Sequence, residues 1–303
     1  MTTAAERSLI DRDIAHLVHP LHNQAAHESA KIWVGGKGAY IEDSEGNEYI
    51  DCLSGLWNNT AGNGRPELAD AAAAQMRQMA FVSGYAGSSN PRAIELSERL
   101  AHLTYPSINH FYLTSGGGES TDSNIKLARY YWKLKGKPDK TKVISRIWGY
   151  HGVTMAAMCA TGIPAYWPMF EPRIPGFSHI PSPYPYLYEA PEGSRSQGIA
   201  AADELEKQIL EEGADTVAMF IAEPVQGAGG VIVPQEDYFK RIREICDQYE
   251  VLLVADEVIT AFGRTGAWSG SRLWGVQPDL MSTAKGISNG YFPFGAVMIN
   301  SKV

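Results

Sequence analysis

The apolar positions of this chain fall into short blocks of two periods. TVAMFIAEP (216–224) and VLLVADEV (251–258) are continuous apolar runs of strand length, as strands buried on both faces require. Between them, DYFKRIREICDQYE (237–250) places Tyr238, Ile242, Ile245 and Tyr249 at helical spacing. HFYLT, KVISR (142–146), LMSTAK (280–285) and FPFGAVMIN (292–300) predict further strands. NIKLARYYWKLKG (124–136) predicts a helix, stopped by Gly136 and Pro138. Such alternation from about residue 109 onward predicts an α/β layer with a mainly parallel sheet. Upstream the pattern differs. KIWVGGKGAYIEDSEGNEYIDCL (31–53) predicts short antiparallel strands, with turns from its glycines and from DSEGNE. PELADAAAAQMRQMA (66–80) and PRAIELSERLAHL (91–103) predict helices, each opened by a proline. Residues 1–30 read as polar and irregular, and 176–198 as a proline- and glycine-rich loop. No internal repeat stands out.

Composition acts mainly by exclusion. The 303 residues are 44% hydrophobic and 20% charged, enough apolar material for a large core. A net charge of −8 without a long basic run argues against nucleic acid as a partner. The charged opening MTTAAERSLIDRD is not a signal peptide, and no apolar run approaches the roughly 18 residues of a membrane span. Cys52, Cys159 and Cys246 are few and far apart, which suits reduced thiols and a cytoplasmic location. His16, His19 and His22 invite a metal, but a closed zinc site wants four ligands and no cysteine or acid pattern completes this one. No metal is expected.

Ligands of open α/β sheets sit outside the carboxyl ends of the strands. SGGGESTD (115–122) follows HFYLT there, and Tyr150 and His151 follow KVISR. Glu223, Asp256 and Lys285 end the next three runs. Charges at strand ends are common, because strands end at water; it is their joint occurrence that carries weight. A glycine turn leading into a helix N-terminus favours an anion, typically phosphate. It is not a Walker A loop, since no Lys-Ser/Thr follows, nor GxGxxG, since Thr121 replaces the last glycine. Glu119 and Asp122 would themselves complement the helix dipole, so a self-capped helix is the alternative. A phosphate anchor, a lysine and an acid after neighbouring strands suit pyridoxal 5'-phosphate. That cofactor needs a lysine to carry its aldehyde and move a proton, and an acid to keep its pyridine nitrogen protonated.

SGGGESTDSNIKLARYYW, VISRIWGYHGVTMAA, IAEPVQGAGGVIVP, LLVADEVITAFGRTG and STAKGISNGYFPFGAV resemble the successive signature blocks of class III aminotransferases, fold-type I pyridoxal-phosphate enzymes. HLVHPL (16–21) resembles the family's N-terminal segment, and Lys285 stands 29 residues after Asp256 as in the family. WPMFEPRIPGFSHIPSPYPY and LSGLWNNTAGNG look most like the amine:pyruvate, or ω-transaminase, branch. The resemblance implies a fold-type I α/β architecture with helices on both sheet faces. Residues 1–60 would contribute to a small domain and 61–303 form an incomplete cofactor-binding large domain. It also implies a cytoplasmic homodimer that passes an amino group from an amine or ω-amino acid to a keto acid, pyruvate in this branch, by a ping-pong mechanism; the alternatives are another fold-type I enzyme, an aminomutase, epimerase or decarboxylase, or an inactive remnant. Lys285 matches the Schiff-base lysine and Asp256 the acid paired with the pyridinium. Val258 and Tyr150 would flank the ring, with His151 and Glu223 beside it, and Gly117 and Gly118 would cup the phosphate. Trp57, Tyr85, Tyr150 and Ala228 match positions lining the substrate pocket. Two departures stand out. GGGE replaces the family's SGSE or SGAE, removing a serine hydroxyl from the phosphate cup. The family also continues well over a hundred residues past its lysine, so the chain reads as a fragment without a C-terminal small domain, expected to bind cofactor weakly and not turn over by itself.

Overall fold

The computed structural model describes residues 4–20, 28–85 and 87–303. The chain divides into two units, Met1–Phe81 and Val82–Val303.

The first unit opens with a helix, α1 (Ala4–His16), where the sequence reads as irregular. Its apolar residues are too sparse for a periodic signal, but Ala, Arg, Glu and Leu are helix formers. His19 Nε2 lies 2.9 Å from Asp13 Oδ2, and among the described residues no three potential ligands gather around a metal position. His22 lies outside the described residues. β1 (Trp33–Lys37), β2 (Tyr40–Asp43) and β3 (Glu48–Ile50) form an antiparallel meander. Asp43 holds its second turn: the buried carboxylate accepts the Glu45 and Asn47 N–H groups (3.0 and 2.9 Å) and the Tyr49 hydroxyl (3.0 Å). One distorted turn, α2 (Ser54–Trp57), follows, with Gly55 and Trp57 at positive φ. Helix α3 (Pro66–Gln78) starts at its proline.

In the second unit α4 (Pro91–Leu103) is capped by Asn90, whose side chain accepts the Ala93 N–H. β4 (Ile108–Thr114) leads through the glycine turn to α5 (Gly117–Leu134), then β5 (Lys142–Arg146) and α6 (Met155–Ala160). β6 (Phe177–Ile180) lies inside the segment read from sequence as a loop. It is a short edge strand of four residues, and the prolines and glycines after it mask it. α7 (Gln197–Glu212), β7 (Val217–Ala222), α8 (Tyr238–Gln248), β8 (Leu252–Asp256), β9 (Leu280–Thr283) and β10 (Gly295–Asn300) complete the unit. The sheet order is β4-β10-β9-β8-β7-β5-β6. β9, β8, β7, β5 and β6 run parallel, and β10 is antiparallel to both β9 and β4. β4 therefore points the same way as β8, and the carboxyl ends of β4, β5, β7, β8 and β9 share one edge.

The continuous apolar runs are strands buried on both faces. In β7, Val217, Phe220 and Ala222 pack with α7 and α8 through Leu205, Ile209, Ile242 and Ile245. Its Ala218, Met219 and Ile221 pack on the other side with Ile125, Ala128 and Trp132 of α5. Helices thus cover both faces, as a mainly parallel sheet requires. Among the described residues no helix is long and apolar enough to cross a membrane.

Candidate active site

Asp256 ends β8 at the carboxyl edge and is 2% exposed. His151 donates from Nδ1 to its Oδ2 at 2.7 Å, and the Val258 N–H donates to its Oδ1 at 3.1 Å. The His151 ring is itself buried, and its Nε2 has no hydrogen-bond partner among the described residues. Glu223, just past β7, is also buried. Its carboxylate accepts the Tyr150 N–H (2.9 Å) and the Gly227 N–H (2.8 Å). Burial pushes the Glu223 carboxyl above the usual carboxylate range, and Asp256 nearby adds to the rise. Glu223 thereby ties the segment after β5 to the turn after β7.

Lys285 follows β9 after one residue and starts a short 3-10 turn, Lys285–Ile287. Its φ of 45° is a left-handed value that lysine rarely adopts. Burial lowers its pKa from the ordinary 10.5, while Asp256 and Glu223 pull the other way. A partly desolvated amine, two buried acids and an imidazole therefore meet at one sheet edge. Burial also raises the pKa of the Tyr150 phenol, half-buried beside Tyr166 and Asp256.

The glycine turn stands next to this group. Gly117, Gly118 and Glu119 form the first turn of α5, so their N–H groups have no carbonyl within the helix to bond. Thr114 and Ser120 hydroxyls brace the turn from below, 2.7 Å apart, with Ser120 donating to the Gly116 carbonyl. A Cβ on Gly117 would come within 3.0 Å of Val258 Cγ2 and 3.7 Å of the Ala284 side chain, so glycine is needed for the turn to sit against those residues. Gly116 is different: its φ of 173° suits any residue, and an added Cβ meets nothing within 4 Å among the described residues. The fold leaves room there for the missing side chain. The first-turn acids divide their tasks. Glu119 accepts the N–H of Ser115, which precedes the helix, whereas Asp122 accepts the Ala157 N–H in the first turn of α6. No side chain among the described residues caps the start of α5 itself.

Gly152 brings the segment after β5 onto the turn. Its φ is +131°, and a Cβ there would lie 2.6 Å from Gly118 Cα. Gly230 has a similar φ of +123° with open space around it. We expect Gly152→Ala to destabilise the protein by about 1–3 kcal/mol more than Gly230→Ala, because only the first adds a backbone clash to the strain. Parallel denaturant titrations read the difference, and equal losses would show that the approach of Gly152 to Gly118 is slack.

The remaining sequence candidates differ in their exposure. Tyr85 is 97% exposed and Ala228 is exposed on the turn after Glu223. Trp57 belongs to the first unit and is half-buried there. Two buried charges next to Asp256 and Glu223 escaped sequence reading. Glu257 accepts the Gly270 and Ser271 N–H groups (2.7 and 2.8 Å), anchoring the start of the 270–274 turn. Arg146, at the end of β5, donates to the Glu223 carbonyl and lies against the Tyr238 and Phe239 rings. Its position at a strand end was the available signal.

Known proteins resemble this chain in sequence and fold. A putrescine–pyruvate aminotransferase of Pseudomonas aeruginosa is 43% identical over 282 residues, 93% of this chain and 62% of that protein. A beta-alanine–pyruvate aminotransferase of the same species is 39% identical over 95% of this chain and 64% of its own length. The chain thus spans less than two thirds of either relative. The crystal structure of an (S)-enantioselective omega-transaminase from Thermomicrobium roseum matches with a TM-score of 0.93 at 46% identity, covering 100% of this chain and 67% of that one. An omega transaminase from Pseudomonas jessenii, solved in complex with PMP, matches at 0.93 and 38% identity over 97% and 66%. With residues 23–303 matching the family model for aminotransferase class-III, the fold, the buried Asp256 and the lysine after β9 find a common account: the chain belongs to the class-III aminotransferases.

Proposed function

We propose that this chain carries the cofactor site of a pyridoxal 5'-phosphate-dependent ω-type transaminase, which moves an amino group from an amine or ω-amino acid to a keto acid, pyruvate first, in two ping-pong half-reactions. The observation that carries the reading is the convergence of Lys285, Asp256 and Glu223 at the sheet edge that also bears the glycine turn. The residues fit the cofactor. The first turn of α5 offers free N–H groups for its phosphate, and Gly117 keeps the approach open against Val258. Asp256 is a buried carboxylate suited to a protonated ring nitrogen, and His151 holds it in place. When bound, the cofactor supplies an electron sink for the carbanion formed at the amine-bearing carbon.

The protein's part is to bind, orient and move a proton. Lys285 Nζ would hold the cofactor's aldehyde carbon between turnovers and, once released, take the proton from the donor carbon and return it. Its lowered pKa makes the neutral amine available at lower pH than for an exposed lysine. Burial of Asp256 and Glu223 keeps water from competing for their hydrogen bonds. Val258 and Tyr150 would bound the ring; the resemblance to the family, by motif, assigns Trp57, Tyr85, Tyr150 and Ala228 to the donor.

The pyruvate-linked names of two relatives support the acceptor, although a diaminobutyrate–2-oxoglutarate transaminase of Halomonas elongata is also 39% identical. A donor screen with pyruvate and 2-oxoglutarate as rival acceptors tests the proposal. Amine-dependent formation of alanine supports it; conversion of the amine without keto acid consumption would indicate a different pyridoxal-phosphate reaction. A cytoplasmic homodimer is part of the same proposal. Trp57→Ala is expected to change the ratio of rates for bulky and small amines by about tenfold, as one altered pocket wall does, with little change in cofactor affinity. A uniform fall for all donors would make Trp57 a packing residue.

A further inference from the structure

At the opposite edge of the sheet, where the strands begin, a lysine is buried. Lys140 is 1% exposed and stands two residues before β5. Its Nζ donates to four backbone carbonyls: Ala214 (2.9 Å), Val217 (3.0 Å), Tyr249 (3.2 Å) and Glu250 (3.0 Å). The Trp132 ring closes another side, 4.9 Å from Nζ to its centroid. Among the described residues no carboxylate hydrogen-bonds the ammonium; Asp215 and Glu250 act on it only through space. Backbone carbonyls with an aromatic face are the surroundings that proteins give to free monovalent cations.

We propose that these four carbonyls and the Trp132 face form a monovalent-cation site whose resident ion is the tethered ammonium of Lys140. The chemistry of the count supports this. A lysine ammonium has three N–H donors, one fewer than the four carbonyls it serves. Free ammonium has four, and potassium needs only the oxygens. The site is therefore complete without the side chain, provided another cation of that size enters.

Its placement gives it a purpose. Ala214 and Val217 stand at the entry to β7, and Tyr249 and Glu250 at the entry to β8, while Lys140 itself leads into β5. One ion thus gathers the starts of three neighbouring strands. The ladder is irregular at this edge: the β5–β7 register shifts between Lys142 and Val143. The far ends of the same strands deliver His151, Glu223 and Asp256. A cation there fixes strand register where the ladder alone does not.

The test compares Lys140→Ala, which empties the site, with Lys140→Met, which keeps an apolar stem in it. Both are expected to lower Tm by about 5 °C or more, as the loss of a buried charge-assisted network does in a chain of this size. Ammonium or potassium chloride should restore at least half of that loss in Lys140→Ala, relative to choline chloride at equal ionic strength. Sodium should restore less, and neither Lys140→Met nor the native protein should show the selectivity. Equal responses of all three proteins to all salts would overturn the proposal. Should the variants fail to fold, the native protein decides. With 15N-labelled lysine, one slowly exchanging ammonium signal is expected at neutral pH, and its absence would refute a closed cage around Lys140.

Discussion

Lys285→Ala should abolish turnover, by about a thousandfold or more, because the side chain is asked both to carry the cofactor and to move the proton. The structure supports a sharp loss. Lys285 sits at a φ of 45° after the end of β9, with its amine partly desolvated near Asp256 and Glu223, so no neighbour can take over both tasks. Added small amines should recover part of the proton transfer in Lys285→Ala, since they can occupy the vacated volume. In the native protein, borohydride should fix the cofactor to the peptide containing Lys285, as read by mass; label on another lysine, such as Lys302, would sink the assignment. The sign of the pH dependence follows from the same burial. The lysine's pKa is lowered below 10.5, so loading with cofactor should rise with pH and level off before that value. A rise that continued through 10.5 would mean that the amine is exposed.

Asp256→Asn should keep the fold and some cofactor but lose transamination by roughly a hundredfold or more, about 3 kcal/mol in the barrier. The amide retains the shape of the carboxylate, and its oxygen can still accept the Val258 N–H or the His151 Nδ1–H. It cannot stabilise a protonated ring nitrogen. The side chain is 2% exposed, so water cannot substitute for the lost charge. Single-turnover measurements separate the two effects: proton removal from the donor should slow while the dissociation constant for the cofactor changes far less. Near-normal turnover would remove Asp256 from the chemistry. His151→Gln offers a graded companion, with a smaller loss expected because it disturbs only the orientation of Asp256.

Much of this site was legible in the chain itself because its residues stand at the ends of strands that announce themselves. β7 and β8 are buried on both faces, so every position must be apolar until the strand leaves the core, and the first acids afterwards are Glu223 and Asp256. The glycine turn was legible for a similar reason: a helix of 18 residues begins within it. Asp256 and Glu257 are adjacent acids, and successive residues leaving a strand point to opposite sides. The end of the apolar run picked out Asp256 and the resemblance to the family gave it a role, whereas only the structure shows that it meets His151 and that Glu257 meets the 270–274 turn. α1 and β6 escaped notice because α1 has few apolar residues to set a period and β6 has only four residues before a run of prolines.

By itself, then, the sequence determined the layer architecture, the two buried central strands, the glycine turn and the family, since each is written in a local period or an ordered set of motifs. Tertiary structure alone decided which distant groups meet. His151 reaches Asp256 across 105 residues, Asp122 accepts an N–H 35 residues away, and Gly152 rests on Gly118. It also placed Lys140, one of five lysines in KLKGKPDKTK and by its charge a surface residue, inside a ring of carbonyls. The physical reason is that burial of a polar group depends on partners supplied by other strands. Sheet order and crossover connections bring those partners together, and neither is encoded in the periodicity of any one segment.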